Sequence, residues 1–164
     1  MNTVDCLKAA FAGESQANRK YTAYAQKAEQ DGLPGVARLF RAAAAAETVH
    51  ALAHFRAMGA VKDTLSNLKD GLAGENYEID DMYPPFVETA KKEQHAAGER
   101  SMAFALEVEK IHAKLYAAAI EAVKAGKDFP LQPFYVCPVC GYTVGGKAPD
   151  RCPVCSALKF DEVK

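Results

Sequence analysis

Glu47-Thr48-Val49-His50 recurs later in the chain as Glu109-Lys110-Ile111-His112. Residues three apart on a helix share a face, so each phrase sets a carboxylate beside an imidazole. Each phrase also has a glutamate upstream: Glu14 stands 33 residues before Glu47, and Glu75 stands 34 before Glu109. The first 126 residues therefore read as two copies of one unit, a helix with Glu followed by a helix with Glu-x-x-His. Four such helices, turning four glutamates and two histidines inward, supply the ligands of a two-metal carboxylate site in a four-helix bundle.

The helices themselves are legible. Over 3–30, Val4, Leu7, Phe11, Glu14, Asn18, Tyr21, Ala25 and Ala28 alternate by three and four, which marks one inward stripe. Asp31-Gly32-Leu33-Pro34 stops that helix, and Pro34 suits the first turn of the next. The second runs to about Met58 with the stripe Val36, Phe40, Ala43, Glu47, His50, His54 and Ala57. Its alanine run favours helix and close helix approach. After a short connector, Asp63 or Thr64 caps a third helix bearing Leu65, Leu68, Leu72, Glu75, Ile79, Met82 and Phe86. Pro84-Pro85 predicts a kink just past the ligands. A fourth helix starts near Ala96 and carries Glu109 and His112 to Gly126.

Composition narrows the class. With 164 residues, the chain can form one core and a small satellite. A formal charge of −1 without a basic block gives no footprint for nucleic acid. No apolar run approaches the ~20 residues of a membrane span. Met1-Asn2-Thr3-Val4-Asp5-Cys6 lacks the layout of a signal peptide. The expectation is a cytoplasmic protein with no nucleic-acid or membrane partner. Of five cysteines, Cys6 reads as a small apolar residue near a helix start, and the others lie in the tail.

Burying several ionised carboxylates together is costly without compensating charge. Lys20, Lys27, Lys92 and Lys110 fall off the stripes, so a pair of cations is the simpler solution. A layer of protonated or hydrogen-bonded glutamates is the competing reading. Oxygen-rich ligation with two imidazoles suits iron or manganese better than structural zinc, and two iron ions per bundle are expected. Glu78, one turn beyond Glu75, is an extra carboxylate. Ferric iron prefers such a charged oxygen and ferrous iron tolerates imidazole, so Glu78 is expected to exchange with one histidine on redox change. A hydrogen-bonding role outside the ligand set is the alternative for Glu78. Tyr21 and Tyr83 can bring hydroxyls near the ligands, or can be ordinary core residues. His54 and His95 are not expected to ligate.

The tail, from Phe134 on, changes character. Cys137-Pro138-Val139-Cys140 and Cys152-Pro153-Val154-Cys155 are two knuckles that place four sulfurs around one ion. Zinc and iron both accept that geometry. A redox-active bundle needs an electron supply, and a tethered one-electron iron centre would raise the local donor concentration. Iron is therefore the expected occupant, with zinc possible.

These stretches together resemble rubrerythrin. The matching segments are Ala12-Gly13-Glu14-Ser15-Gln16, the Glu47/His50 phrase, Ala73-Gly74-Glu75-Asn76-Tyr77-Glu78 leading to Met82-Tyr83-Pro84, the Glu109/His112 phrase and both knuckles. The resemblance implies a ferritin-like di-iron bundle over 1–130 and a rubredoxin-like domain over 131–164, a mainly α protein. It implies a hydrogen peroxide reductase, with electrons arriving from NAD(P)H through a reductase and rubredoxin, entering at the Cys137/Cys140/Cys152/Cys155 iron and passing to the bundle. It also implies ligand exchange between Glu78 and His50, with His112 the second histidine ligand and Tyr21 and Tyr83 beside the carboxylates. The reaction would be two-electron cleavage of the O–O bond, with Glu78 shuttling a proton. A ferroxidase or iron-handling protein is the nearest rival, and a metal-stabilised structural protein with zinc in the tail is the other.

The link between the second and third helices departs from the long link of some family members. About six residues span at most ~20 Å, whereas a crossover back along the bundle needs ~30 Å. Either these helices are simple antiparallel neighbours or the second pair joins another chain. A domain-swapped homodimer is the expectation, with Glu14, Glu47 and His50 from one chain and Glu75, Glu78, Glu109 and His112 from the other.

Overall fold

The computed structural model describes residues 1–163, and the chain forms two compact units, Met1–Lys62 and Asp63–Lys164. The first is a helical hairpin of α1 (Thr3–Gln30) and α2 (Pro34–Ala57). Asn2 starts α1 through a capping box: its side chain accepts from the Asp5 N–H, while the Asp5 carboxylate accepts from the Asn2 N–H. Gly32, at φ 74°, ends α1, as the Leu33 and Gly32 N–H groups reach back to Ala28 and Glu29.

The seam between α1 and α2 is built from small residues. Ala37, Ala44 and Ala51 are buried at successive sevens on α2, facing Asn18, Ala25 and Ala28 of α1. Asn18 ties the two helices: its amide donates to the Ala44 carbonyl (2.6 Å) and the Thr48 hydroxyl (2.7 Å). Phe11 and Phe55 stack near the other end. The expected inward stripe of α2 is displaced by about one residue from this seam. Val36 and His50 are exposed, and Phe40, Ala43 and Glu47 are half-buried. The physical reason is that a hairpin buries only the line where its two helices touch, and the carboxylate stripe lies beside that line.

The second unit begins with α3 (Thr64–Tyr77), capped by Asp63, whose carboxylate accepts from the Ser66 N–H. A π-helical turn, Glu78–Met82, follows, then α4 (Tyr83–Lys92) and α5 (Ala96–Lys124). The break therefore precedes the expected kink at Pro84-Pro85. Prolines lack the N–H that an α-helix would return to the carbonyls four residues earlier, so the ladder fails upstream of them. The Tyr83 N–H bonds instead to the Glu78 carbonyl, five residues back. Gln94, at φ 55°, closes α4, and His95 caps α5 by accepting the Gly98 N–H at 2.9 Å. Gly98, awkward in a first turn, leaves room for that ring: a Cβ there would lie 2.9 Å from His95 Nδ1.

The tail in the same unit is a three-stranded antiparallel sheet of β1 (Phe134–Val136), β2 (Thr143–Gly145) and β3 (Asp161–Val163), ordered β2-β1-β3. Cys6 is exposed rather than packed. Among the described residues no helix is long and apolar enough to cross a membrane.

Candidate metal centres

Three clusters of ligating side chains form. In the hairpin, α1 and α2 bring Glu14, Glu47 and His50 together, each offering an atom within 4.8 Å of the others. The i, i+3 spacing puts His50 Nδ1 2.9 Å from Glu47 Oε2, and Glu14 Oε1 lies at 4.0 Å. The second unit repeats the arrangement from α3 and α5. His112 Nδ1 is 2.7 Å from Glu109 Oε2 and 3.8 Å from Glu75 Oε1. The repeat seen in the sequence is thus a repeat of geometry.

The two triads differ in surroundings. The His50 side chain is 54% exposed and the His112 side chain 30%. His112 Nε2 lies 3.0 Å from the Thr143 hydroxyl on β2, a contact that no spacing in the sequence announces. Burial, then the Glu109 charge and a hydrogen bond with Glu109, raise the Glu75 carboxyl to about 7, against the pull of His112. Glu78, at the first position of the π turn, is raised by burial and by Glu109. It lies outside the tight triad but within electrostatic reach of Glu75 and Glu109. The Tyr83 phenol is raised by burial and by the charges of Glu78, Glu109 and Glu75. Tyr21 packs on Phe40 and Tyr24 in the hairpin. His54 stands outside the triads.

The donor sets fit metal. The ion pairs that Lys27, Arg41, Lys92, Lys110 and Lys124 make are with Asp31, Glu29, Glu88, Glu107 and Glu121, away from the triads. Each triad keeps its carboxylates close with an imidazole as the paired base, a donor set whose negative charge a bound cation would offset.

The third cluster is Cys137, Cys140, Cys152 and Cys155. Cross-knuckle sulfurs lie 3.5 Å apart, both for Cys137–Cys155 and for Cys140–Cys152. The knuckles are near copies. The Gly141 N–H returns to the Cys137 carbonyl and the Ser156 N–H to the Cys152 carbonyl, both at 2.9 Å. Both hinge residues have positive φ, 85° at Gly141 and 66° at Ser156. Burial drives the Cys140 thiol up. At Cys152 burial acts the same way but is outweighed by the backbone N–H groups of Cys155 and Val154 and by neighbouring thiols, which bring it to about 7. Four sulfurs gathered by two matching knuckles, with backbone N–H donors at Cys152, suit a thiolate-bound cation.

Comparison with known proteins agrees with both parts. A family model described as rubrerythrin matches residues 5–120, and one described as the rubredoxin-like domain of rubrerythrin matches 135–160. The chain is 37% identical to rubrerythrin-2 of Clostridium acetobutylicum, over 96% of its length and 93% of the relative's. It is 38% identical to nigerythrin of Nitratidesulfovibrio vulgaris, over 94% of its length and 82% of the relative's. Among solved structures it is similar to nigerythrin in its fully reduced, all-ferrous state, with a TM-score of 0.58 and 34% identity over 99% of this chain and 87% of that one. The match spans the helices that carry both triads and the sheet that carries the knuckles, and the chain belongs to the rubrerythrin family.

Proposed function

We propose that this protein is a non-haem di-iron peroxidase that reduces hydrogen peroxide to water, with electrons delivered through an iron held by Cys137, Cys140, Cys152 and Cys155, in defence against oxidative stress. The observation that carries this reading is the meeting, within one unit, of a carboxylate–histidine triad and a tetrathiolate knuckle, joined at His112 and Thr143. A ferroxidase has no use for a tethered one-electron donor so placed.

Glu14, Glu47 and His50, together with Glu75, Glu109, His112 and Glu78, would hold the iron pair. Bound there, iron would supply the two electrons that reduction of the O–O bond requires. The residues supply the rest. Glu78, raised by burial and by Glu109, holds a proton closer to neutrality than an ordinary carboxyl and can pass it to the departing oxygen. Tyr83, kept protonated by burial and three nearby carboxylates, is a standing hydrogen-bond donor, and Tyr21 is its counterpart from the hairpin. His50, whose ion pairs run through Nδ1 to Glu47 and Glu14, is the imidazole that yields its place to Glu78. Structures of both oxidation states with one unchanged ligand set would refute that exchange.

Each triad alone is half a site. The functional form is a domain-swapped homodimer in which the α1–α2 hairpin of one chain pairs with α3 and α5 of another. The short link and the half-exposed carboxylate stripe support this arrangement. Residues 1–130 serve as the peroxidase module and 131–164 as the electron-entry module. Rubredoxin and an NAD(P)H-dependent rubredoxin reductase are the external donors in the cytoplasm.

The deciding experiment is the visible spectrum of anaerobically purified protein, followed by a slight excess of peroxide added to the reduced form. Rubredoxin-type bands that bleach on reduction and return as peroxide disappears are expected. A colourless tail carrying zinc, with no peroxide consumed, would overturn the reading, as would rapid consumption of ferrous iron and oxygen with ferric mineral accumulating.

A further inference from the structure

We propose that Thr143 is the positioning residue for His112, fixing which ring nitrogen is free to bind metal and tying that choice to the first cysteine knuckle. The geometry is a short relay. His112 Nδ1 faces Glu109 and Glu75. The opposite nitrogen, Nε2, lies 3.0 Å from Thr143 Oγ1. The Thr143 hydroxyl donates its own hydrogen to the Gly141 carbonyl at 2.9 Å. A hydroxyl whose hydrogen is already committed can only accept from the ring, so Nε2 carries the proton and Nδ1 presents its lone pair to the carboxylate cluster. Gly141 directly follows Cys140, and its own N–H is engaged by the Cys137 carbonyl. The acceptor that orients Thr143 is therefore part of the knuckle.

Among the described residues, the other triad shows no such second contact. The ion pairs of His50 run to Glu47 and Glu14 through Nδ1, and its side chain is 54% exposed. Among the described residues, His112 is thus held through both nitrogens and His50 through Nδ1. Thr143 also lines a cavity of about 450 Å³ together with Glu75, His112, Tyr116 and Phe134, so the hydrogen bond sits on a mostly apolar wall. Replacing the hydroxyl by a methyl leaves the shape of the side chain and removes the acceptor.

This assignment rests on the reading of Glu75, Glu109 and His112 as ligands. The test uses the full chain with iron retained in the cysteine site and zinc alone titrated into the bundle against a chelator. Unmodified protein should take two equivalents per site. In Thr143→Val one of the two should weaken by about tenfold or more, whereas Thr143→Ser should restore it. In nitrogen-edited spectra of the zinc-loaded form, the His112 Nε2–H should be slow to exchange in the unmodified and serine proteins and fast in the valine variant. If valine disturbs β2, seen as loss of the iron–sulfur bands, Thr143→Ala takes its place. Failure of the unmodified protein to take zinc in the bundle would sink the ligand reading. Two unweakened equivalents and a slow Nε2–H in the valine or alanine variant would sink the role of Thr143 alone. A serine variant as impaired as valine would assign the effect to packing and likewise overturn the proposal.

Discussion

Glu75 shows how burial and a neighbouring carboxylate act on one side chain. Its folded value of about 7 lies above the ordinary 4.5, burial being the largest cause and Glu109 the next. The folded chain therefore keeps a proton that the unfolded chain has released. Its contribution to metal-free stability is full below about pH 4.5, declines as pH rises through 4.5 to 7, and is lost above that. Glu75→Gln should remove this dependence. We expect the metal-free variant to melt higher than the unmodified protein at pH 8, yet to lose bundle metal; a lower melting temperature at pH 8 would refute the account. Glu78 is the contrasting case, being beside the triad rather than in it. Glu78→Ala should slow peroxide turnover about a hundredfold while most of the iron stays bound. Unchanged turnover would deny Glu78 its proton-transfer role. The triads were legible in the sequence because helical spacing alone aligns Glu-x-x-His. Thr143 was not, because strand alternation says nothing about which helix a hydroxyl will meet.

At the scale of elements, local chemistry fixed most boundaries. Asn2, Asp63 and Gly32 act within a turn of themselves, so their effects can be read without knowing the fold. Pro84 and Pro85 announced a break, but its position depends on the carbonyls that they leave without donors, and these lie upstream in the π turn. The result is that Glu78 begins the irregular segment instead of preceding it, an arrangement common where a helix must re-aim a functional side chain. The α1–α2 seam was only partly legible. Asn18 falls on the inward stripe by spacing, but only the fold shows it to be the buried tie between the two helices, with both amide hydrogens used. Asn18→Ala leaves the Ala44 carbonyl and the Thr48 hydroxyl without that donor. We expect a loss of about 1–3 kcal/mol, measured by denaturant unfolding; a loss below a few tenths would mean that the tie is dispensable.

The whole molecule poses a question that two half-sites sharpen: does one chain complete its own bundle, or do two chains complete each other's? Complementation separates these cases without any new structure. Glu47→Ala disables the triad of α1 and α2, and Glu109→Ala disables that of α3 and α5. Each variant alone should be inactive as a homodimer, because every site contains the defect. Co-refolding equal amounts gives heterodimers in about half of the dimers. If the hairpins are exchanged, one site of each heterodimer combines the two defects. The other combines the intact α1–α2 hairpin of the Glu109→Ala chain with the intact α3 and α5 of the Glu47→Ala chain. Peroxide turnover should then recover to roughly a quarter of the unmodified level, with bundle iron rising in proportion. If each chain closes its own bundle, every site in every dimer keeps one defect, and the mixture stays as inactive as its components. Mixing without refolding should recover activity only as fast as subunits exchange, so a slow rise over hours would show that the swapped pairs are held by the bundle core itself.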